Sequence, residues 1–266
     1  MIFLKKVLKN ISLLILVLFS FFYTDKVMDL VNRKDPLMNK INLLKDKYEI
    51  LPVNAILEDN TIIPGIKGKS VNLDKSYENM KKSGIFREDY LIYNDILPSE
   101  MLSNNMDKYI IKGNDYNNRV ALLIILDPNN MDKVKNKDVT IFLNHKDISI
   151  NNIKKIYNNS IYTYGNNGLY NDDILSNDNT IINRVSNNKS VYCLSKEKNT
   201  DVLNACNNNK MYVIIPNVIG DYYEIKSNIS NGSIILLNNI NNLDVVIKYI
   251  NSKGYSIVSL NKLLEE

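Results

Sequence analysis

The chain has 266 residues, of which 45% are hydrophobic and 23% charged, with a formal net charge of +4. That length allows one to three domains and a real core. Lysines and arginines are spread along the chain, which excludes the clustered basic stripe of a nucleic-acid-binding protein.

Two cysteines and one histidine are too few for a disulfide scaffold, a structural zinc site or a His-rich hydrolase centre. About one residue in six is Asn. These residues are scattered among apolar segments, so they read as the bias of an AT-rich coding sequence rather than as a prion-like tract.

Lys5, Lys6 and Lys9 precede an apolar run from Ile11 to Tyr23. Counted back through Leu8 and Val7, the segment is about 17 residues, at the short end for a spanning helix. Lys9 can snorkel to the inner face, and the leading positive flank favours an N-terminus inside. The run ends in Phe-Phe-Tyr-Thr, with no small-x-small cleavage site. An uncleaved signal anchor is therefore expected over residues 1–26, single-pass in the cell membrane, with the rest of the chain outside the cytoplasm. A cleaved signal peptide is the alternative.

Residues 27–115 are expected to form a stalk and a small α+β membrane-proximal module. A helix is predicted over Leu73–Lys82, capped by Asn72 or Asp74, with Tyr77 and Met80 at helical spacing. From Arg119 the pattern is regular. Strands are predicted at Arg119–Leu126, Asp138–Leu143, Ser160–Tyr164, Ser190–Cys193, Met211–Pro216, Ser233–Leu237 and Tyr255–Ser259. Between and after them, helices are predicted at Asn151–Tyr157, Asn177–Ser186, Asn199–Asn207, Leu243–Ser252 and Leu260–Leu264. Apolar strands alternating with helices point to a parallel sheet covered on both faces, over residues 116–266.

Several segments of this region fall in the order of the polysaccharide deacetylase family (the NodB homology domain). Val120-Ala121-Leu122 precedes Leu123-Ile124-Ile125-Leu126-Asp127-Pro128, where the family reads Thr-Phe-Asp-Asp-Gly. Val139-Thr140-Ile141-Phe142-Leu143 resembles Ala-Thr-Phe-Phe-Val. Thr163 to Asn171 stands where the family carries its His-containing metal segment. Val202-Leu203 is similar to the end of the arginine block. Gly232-Ser233-Ile234-Ile235-Leu236-Leu237 matches Gly-Ser-Ile-Ile-Leu-Leu, and Lys253-Gly254-Tyr255 with Val258 to Leu264 resembles the closing strand and helix. The resemblance covers a little over half the chain. It implies a distorted (β/α) barrel and the removal of acetyl groups from N-acetylated glycans.

The family's reaction needs a divalent metal held by Asp and two His, an Asp base and a late His acid. The aligned base and ligand aspartates fall on Ile125 and Leu126. Asp127 is one residue late, on the opposite face of a strand. The two histidines fall on Asn167 and Asn171, the late His on Asn238 and its partner on Asn239. Lys196 and Lys198 stand in the arginine block. An amide oxygen is a weak ligand for zinc or cobalt, and an amide cannot serve as general acid near neutral pH. The degenerate positions therefore imply an inactive member of the family, with no catalytic residue, no metal and no cofactor.

His145, with Asp127 and Asp147, is the one set from which a metal site could be rebuilt; otherwise it reads as a solvated loop residue. Asp172 and Asp173 read as a helix's first turn. Cys193 and Cys206 either form a disulfide pinning a helix to the sheet or are two buried small hydrophobes. Tyr164 and Tyr170 could line a glycan groove, or pack in the core. The expected partners are the membrane, through the N-terminal helix, and cell-wall glycan. The alternatives are an active peptidoglycan or chitooligosaccharide deacetylase with a rebuilt metal site, and a purely structural envelope protein.

Overall fold

The computed structural model describes residues 11, 14–24, 26–27, 32–186 and 189–266. Residues 14–24 are helical, with Leu14, Leu16, Phe19 and Phe22 exposed. Among the described residues no helix is long and apolar enough to cross a membrane. The anchor expected over residues 1–26 is thus not carried by its described part. Residues 1–10, 12–13 and 25 of that expectation lie outside the described residues.

The chain divides into two compact units, Met1–Leu51 with Gly68–Ile96, and Pro52–Lys67 with Leu97–Glu266. In the first, the helix Pro36–Leu44 starts at Asp35, whose carboxylate accepts from Leu37 N at 2.7 Å. Pro36 fits the first helical position, where no donor is needed. The predicted helix near residue 73 is Leu73–Lys81, and Asn72 is its cap. It packs Tyr77 and Met80 onto Leu37, Met38 and Ile41, beside the antiparallel pair Gly68–Val71 and Tyr93–Ile96.

The second unit is α/β. Its strands are β1 Ile56–Glu58, β2 Thr61–Ile63, β3 Tyr109–Ile110, β4 Arg119–Ile125, β5 Thr140–Leu143, β6 Ser160–Thr163, β7 Tyr192–Leu194, β8 Tyr212–Ile214, β9 Val218–Gly220, β10 Ile234–Leu237 and β11 Ser256–Ile257. Its helices are α1 Ile150–Lys155, α2 Asp172–Val185, α3 Thr200–Asn208, α4 Tyr222–Asn228, α5 Leu243–Ser252 and α6 Leu260–Leu263.

One sheet runs β9-β10-β4-β5-β6, all parallel, with β11 on β4. The other runs β1-β2-β3-β8-β7, parallel except for β1. Residues 52–67 and 97–115 therefore belong with the C-terminal unit rather than with a separate membrane-proximal module, because β3 pairs directly with β8.

The strands are buried on both faces, which is why they read as unbroken apolar runs. Ala121, Leu123, Phe142, Tyr162, Leu194, Ile214 and Leu236 fill an inner cluster, closed by Leu260 and Leu263 of α6. Val120, Leu122, Ile124, Ile141 and Ile161 face outward onto Ile153, Ile182, Val246 and Ile250 of the helices. A row of rings crosses from one sheet to the other. Phe142 lies 5.4 Å from Tyr162, Tyr162 5.3 Å from Tyr192, and Tyr192 6.0 Å from Tyr212. Among the described residues no ladder joins β6 to β7 or β8 to β9, so the distortion expected of the barrel falls at these two seams.

Helix α2 begins five residues before its predicted start at Asn177. Asn171 caps it, and Asp172 and Asp173 sit in the first turn, where the helix dipole favours acids. The sequence pattern does not show β9 and α4, which are too short to establish a period.

Candidate functional site

In α/β sheets of this kind, ligands bind beyond the carboxyl ends of the strands. At the end of β4, Ile125 faces the inner cluster and Leu126, 1% exposed, faces the outer one, packed with Met131 and Val134. Asp127 is exposed and starts a 3-10 turn, its carboxylate accepting from Asn129 N at 2.8 Å. A carboxylate on the strand's end is thereby replaced by two apolar side chains and a surface cap.

Beyond β6 the chain makes a tight turn. Asn166 N donates to Leu169 O at 2.8 Å, and Gly168 N to Tyr164 O at 2.8 Å. Asn167 has φ of 52°, in the left-handed region that Asn tolerates, and its N–H donates to Asn144 Oδ1 at 3.2 Å. Gly165 also has positive φ, and a Cβ there would come within 2.8 Å of the Tyr170 ring. Asn171 is the cap of α2, its side-chain oxygen accepting from Ile174 N at 2.9 Å.

Tyr164 is 9% exposed, with its ring under Gly168. The Tyr170 hydroxyl donates to Leu194 O and accepts from Leu194 N, both at 3.0 Å. It thus spans the seam between β6 and β7 and satisfies backbone groups that a ladder would otherwise pair. Burial pushes this phenol well above its usual value. Neither tyrosine presents a ring face for a sugar, so the groove expected at Tyr164 and Tyr170 is filled by packing instead.

At the end of β10, Asn238 is exposed and its N–H donates to Gly220 O at 3.1 Å, while Asn239 caps the next turn by accepting from Asn241 N at 3.0 Å. Lys196 and Lys198 are exposed beyond β7.

His145 is not joined to Asp127 or Asp147. Its Nδ1 lies 2.7 Å from Oδ1 of Asp178, on the second turn of α2. Asp178 has no solvent exposure, and its Oδ2 accepts from the Thr163 hydroxyl at 2.6 Å. Thr163 Oγ1 in turn accepts from Gly165 N at 2.8 Å. The sequence gave one signal for Asp178, an acid at the i+3, i+4 spacing of Leu175 and Ile182 on the apolar face of a helix. The expectation of a solvated loop histidine fails because this acid faces inward and has to be paired.

Asp221, which opens α4 beyond β9, has one carboxylate oxygen buried without a hydrogen-bond partner, while Glu224 Oε2 accepts from its N–H at 3.0 Å. Cys193 of β7 and Cys206 of α3 form a disulfide, and neither is exposed.

These positions do not fit a hydrolytic divalent metal. Such a centre needs convergent carboxylate and imidazole donors. The aligned positions supply a leucine in the outer core and two amides, one of them engaged as a helix cap. Among the described residues no three His, Cys, Asp or Glu side chains gather where they could hold a metal ion.

The class these features define is the polysaccharide deacetylase fold with its ligand chemistry absent. No protein-family model matches the chain. In a search of solved structures, the chain superposes with a TM-score of 0.62 on BA3943, a CE4 family pseudoenzyme from Bacillus anthracis, at 22% identity over 88% of this chain and 96% of that one. It also superposes on the Bc1960 peptidoglycan N-acetylglucosamine deacetylase, with a TM-score of 0.50 and 18% identity over 59% of this chain and 92% of that one. At these identities the likeness is one of fold. A 92-residue segment, 34% of the chain, is 39% identical to YlxY, an uncharacterized protein of Bacillus subtilis (strain 168), and spans 29% of that protein's length.

Proposed function

We propose that this chain is a catalytically inactive protein of the polysaccharide deacetylase fold, held at the cell membrane by its N-terminal helix with the α/β unit outside the cytoplasm. One observation carries the inactive reading. Every position at which the resemblance requires a base, a ligand or an acid holds a side chain without that chemistry, and Ile125, Leu126, Asn167 and Asn171 are each fixed by packing or a hydrogen bond. The superposition on a CE4 family pseudoenzyme supports the same reading. The membrane placement is supported by the exposed apolar helix at residues 14–24 and by Lys5, Lys6 and Lys9 ahead of it.

The test is acetate release from an N-acetylglucosamine oligomer by the purified full chain, with metal analysis of the same sample. The expected result is no turnover above a blank. Turnover together with one bound zinc, cobalt or nickel per chain would overturn the proposal. Cell fractionation tests the placement, with the protein expected in the membrane pellet and its disulfide-bearing unit open to external protease.

A further inference from the structure

We infer that the stretch Tyr164–Asn171 has become a structural tie between β6, β7 and α2, so that returning imidazoles to positions 167 and 171 does not return a metal centre. This rests on the inactive reading and deepens it, from absent donors to an absent geometry.

Three donors must turn toward one point to hold zinc. Here the three positions are committed in different directions. Leu126 belongs to the outer apolar layer with Met131 and Val134, on the side of the sheet covered by helices. Asn171 is turned to the start of α2, with its oxygen on Ile174 N. Asn167 sits in a left-handed turn held by Asn144 Oδ1 and by the Gly168–Tyr164 backbone bond.

The turn itself is locked. Tyr170, next to Asn171, closes both hydrogen-bonding groups of Leu194 across the seam, and its ring lies against Gly165 where no side chain fits. Thr163 and His145 hold the two flanks of the same stretch, through Gly165 N at 2.8 Å and Gly165 O at 2.7 Å. A side chain that replaces Asn167 or Asn171 inherits this backbone, because the bonds that fix the backbone come from residues 144, 163, 170 and 194.

The experiment uses the full chain carrying Asn167→His and Asn171→His, and a second variant adding Leu126→Asp. Zinc chloride alone is titrated calorimetrically into each variant and into the unmodified chain at neutral pH, and far-ultraviolet circular dichroism reports the fold. Asn171 and Asn167 are exposed, so the double variant is expected to keep the unmodified spectrum. Its zinc dissociation constant is expected to stay within about tenfold of the unmodified chain's. The triple variant is expected to melt earlier, since it puts a carboxylate into an apolar layer. One zinc per chain bound more than about tenfold tighter, by either folded variant, overturns the inference. Acetate release by the unmodified chain bears on the inactive reading instead, so the two fail separately.

Discussion

Nδ1 of His145 lies 2.7 Å from Oδ1 of Asp178, and the two residues are 33 positions apart in the chain. The carboxylate has no solvent exposure, so the imidazole and the Thr163 hydroxyl are its printed side-chain partners in place of water. His145 also donates its backbone N–H to Gly165 O at 2.7 Å. The pair therefore fastens the connection after β5, the turn after β6 and the second turn of α2 to one another.

His145→Ala is expected to destabilise the second unit by about 1–3 kcal/mol, because it leaves one oxygen of a buried carboxylate without a donor. Urea denaturation followed by circular dichroism measures this. A midpoint unchanged from the unmodified chain would show that solvent replaces the imidazole without loss. Asp178→Asn, which removes the charge but keeps an acceptor for Thr163, should be milder in the His145→Ala background than alone, as coupled partners are.

Tyr170→Phe is expected to lower stability by about 1–3 kcal/mol, since Leu194 N and O lose a shared partner at the seam. Hydrogen exchange at Leu194 should quicken while that of β4, in the middle of the other sheet, stays as it was. Equal protection at Leu194 in both proteins would mean that β6 and β7 are held by ring packing alone.

The same phenol gives a pH dependence. Burial raises Tyr170 and Tyr192 above the free tyrosine value near 10. Their folded-state values exceed their unfolded ones, so this contribution to stability is fully present below about pH 10 and is lost as pH rises from there through the folded values. Alkaline titration followed by tyrosinate absorbance should show these two ionising only as the protein unfolds. Early, reversible ionisation of all tyrosines without loss of the circular dichroism signal would contradict it.

Reduction of the Cys193–Cys206 bridge is expected to cost about 2–3 kcal/mol, because it frees a short loop in the unfolded chain. The double variant Cys193→Ala, Cys206→Ala should match the reduced protein in thermal midpoint to within the packing loss of two buried sulfurs. A midpoint indifferent to reductant would mean that α3 is held on β7 by Val202 and Leu203 alone.

Glu266 closes the far end of the unit. Its Oε1 accepts from Gly65 N at 3.0 Å and its Oε2 from Leu102 N at 2.8 Å. Glu266→Ala is expected to cost about 1–2 kcal/mol, the range for backbone donors losing a charged acceptor in a half-buried setting. Limited proteolysis should then cut earlier near residues 64–66 and 100–104, and an unchanged cleavage pattern would show that the segment is held by β1, β2 and β3 without the carboxylate.

The sequence by itself determined the order of the elements from Arg119 onward and the absence of ligand chemistry. An apolar run such as Val120–Ile125 has to be buried on both faces, and Leu126, Asn167, Asn171 and Asn238 cannot be imidazoles or carboxylates in any fold. These are local facts, readable from residue type and period. Only the tertiary structure decided where the two seams fall, that residues 52–67 and 97–115 join the C-terminal unit, and that Tyr170 bonds Leu194, 24 residues away, instead of lining a groove. The same holds for His145 with Asp178 and for Glu266 with Gly65, the latter 201 residues apart. The physical reason is common to all of them. A side chain's partner across a closed loop is set by how whole layers pack, and no spacing along the chain encodes which of many acids, amides or backbone groups will arrive within 3 Å of it.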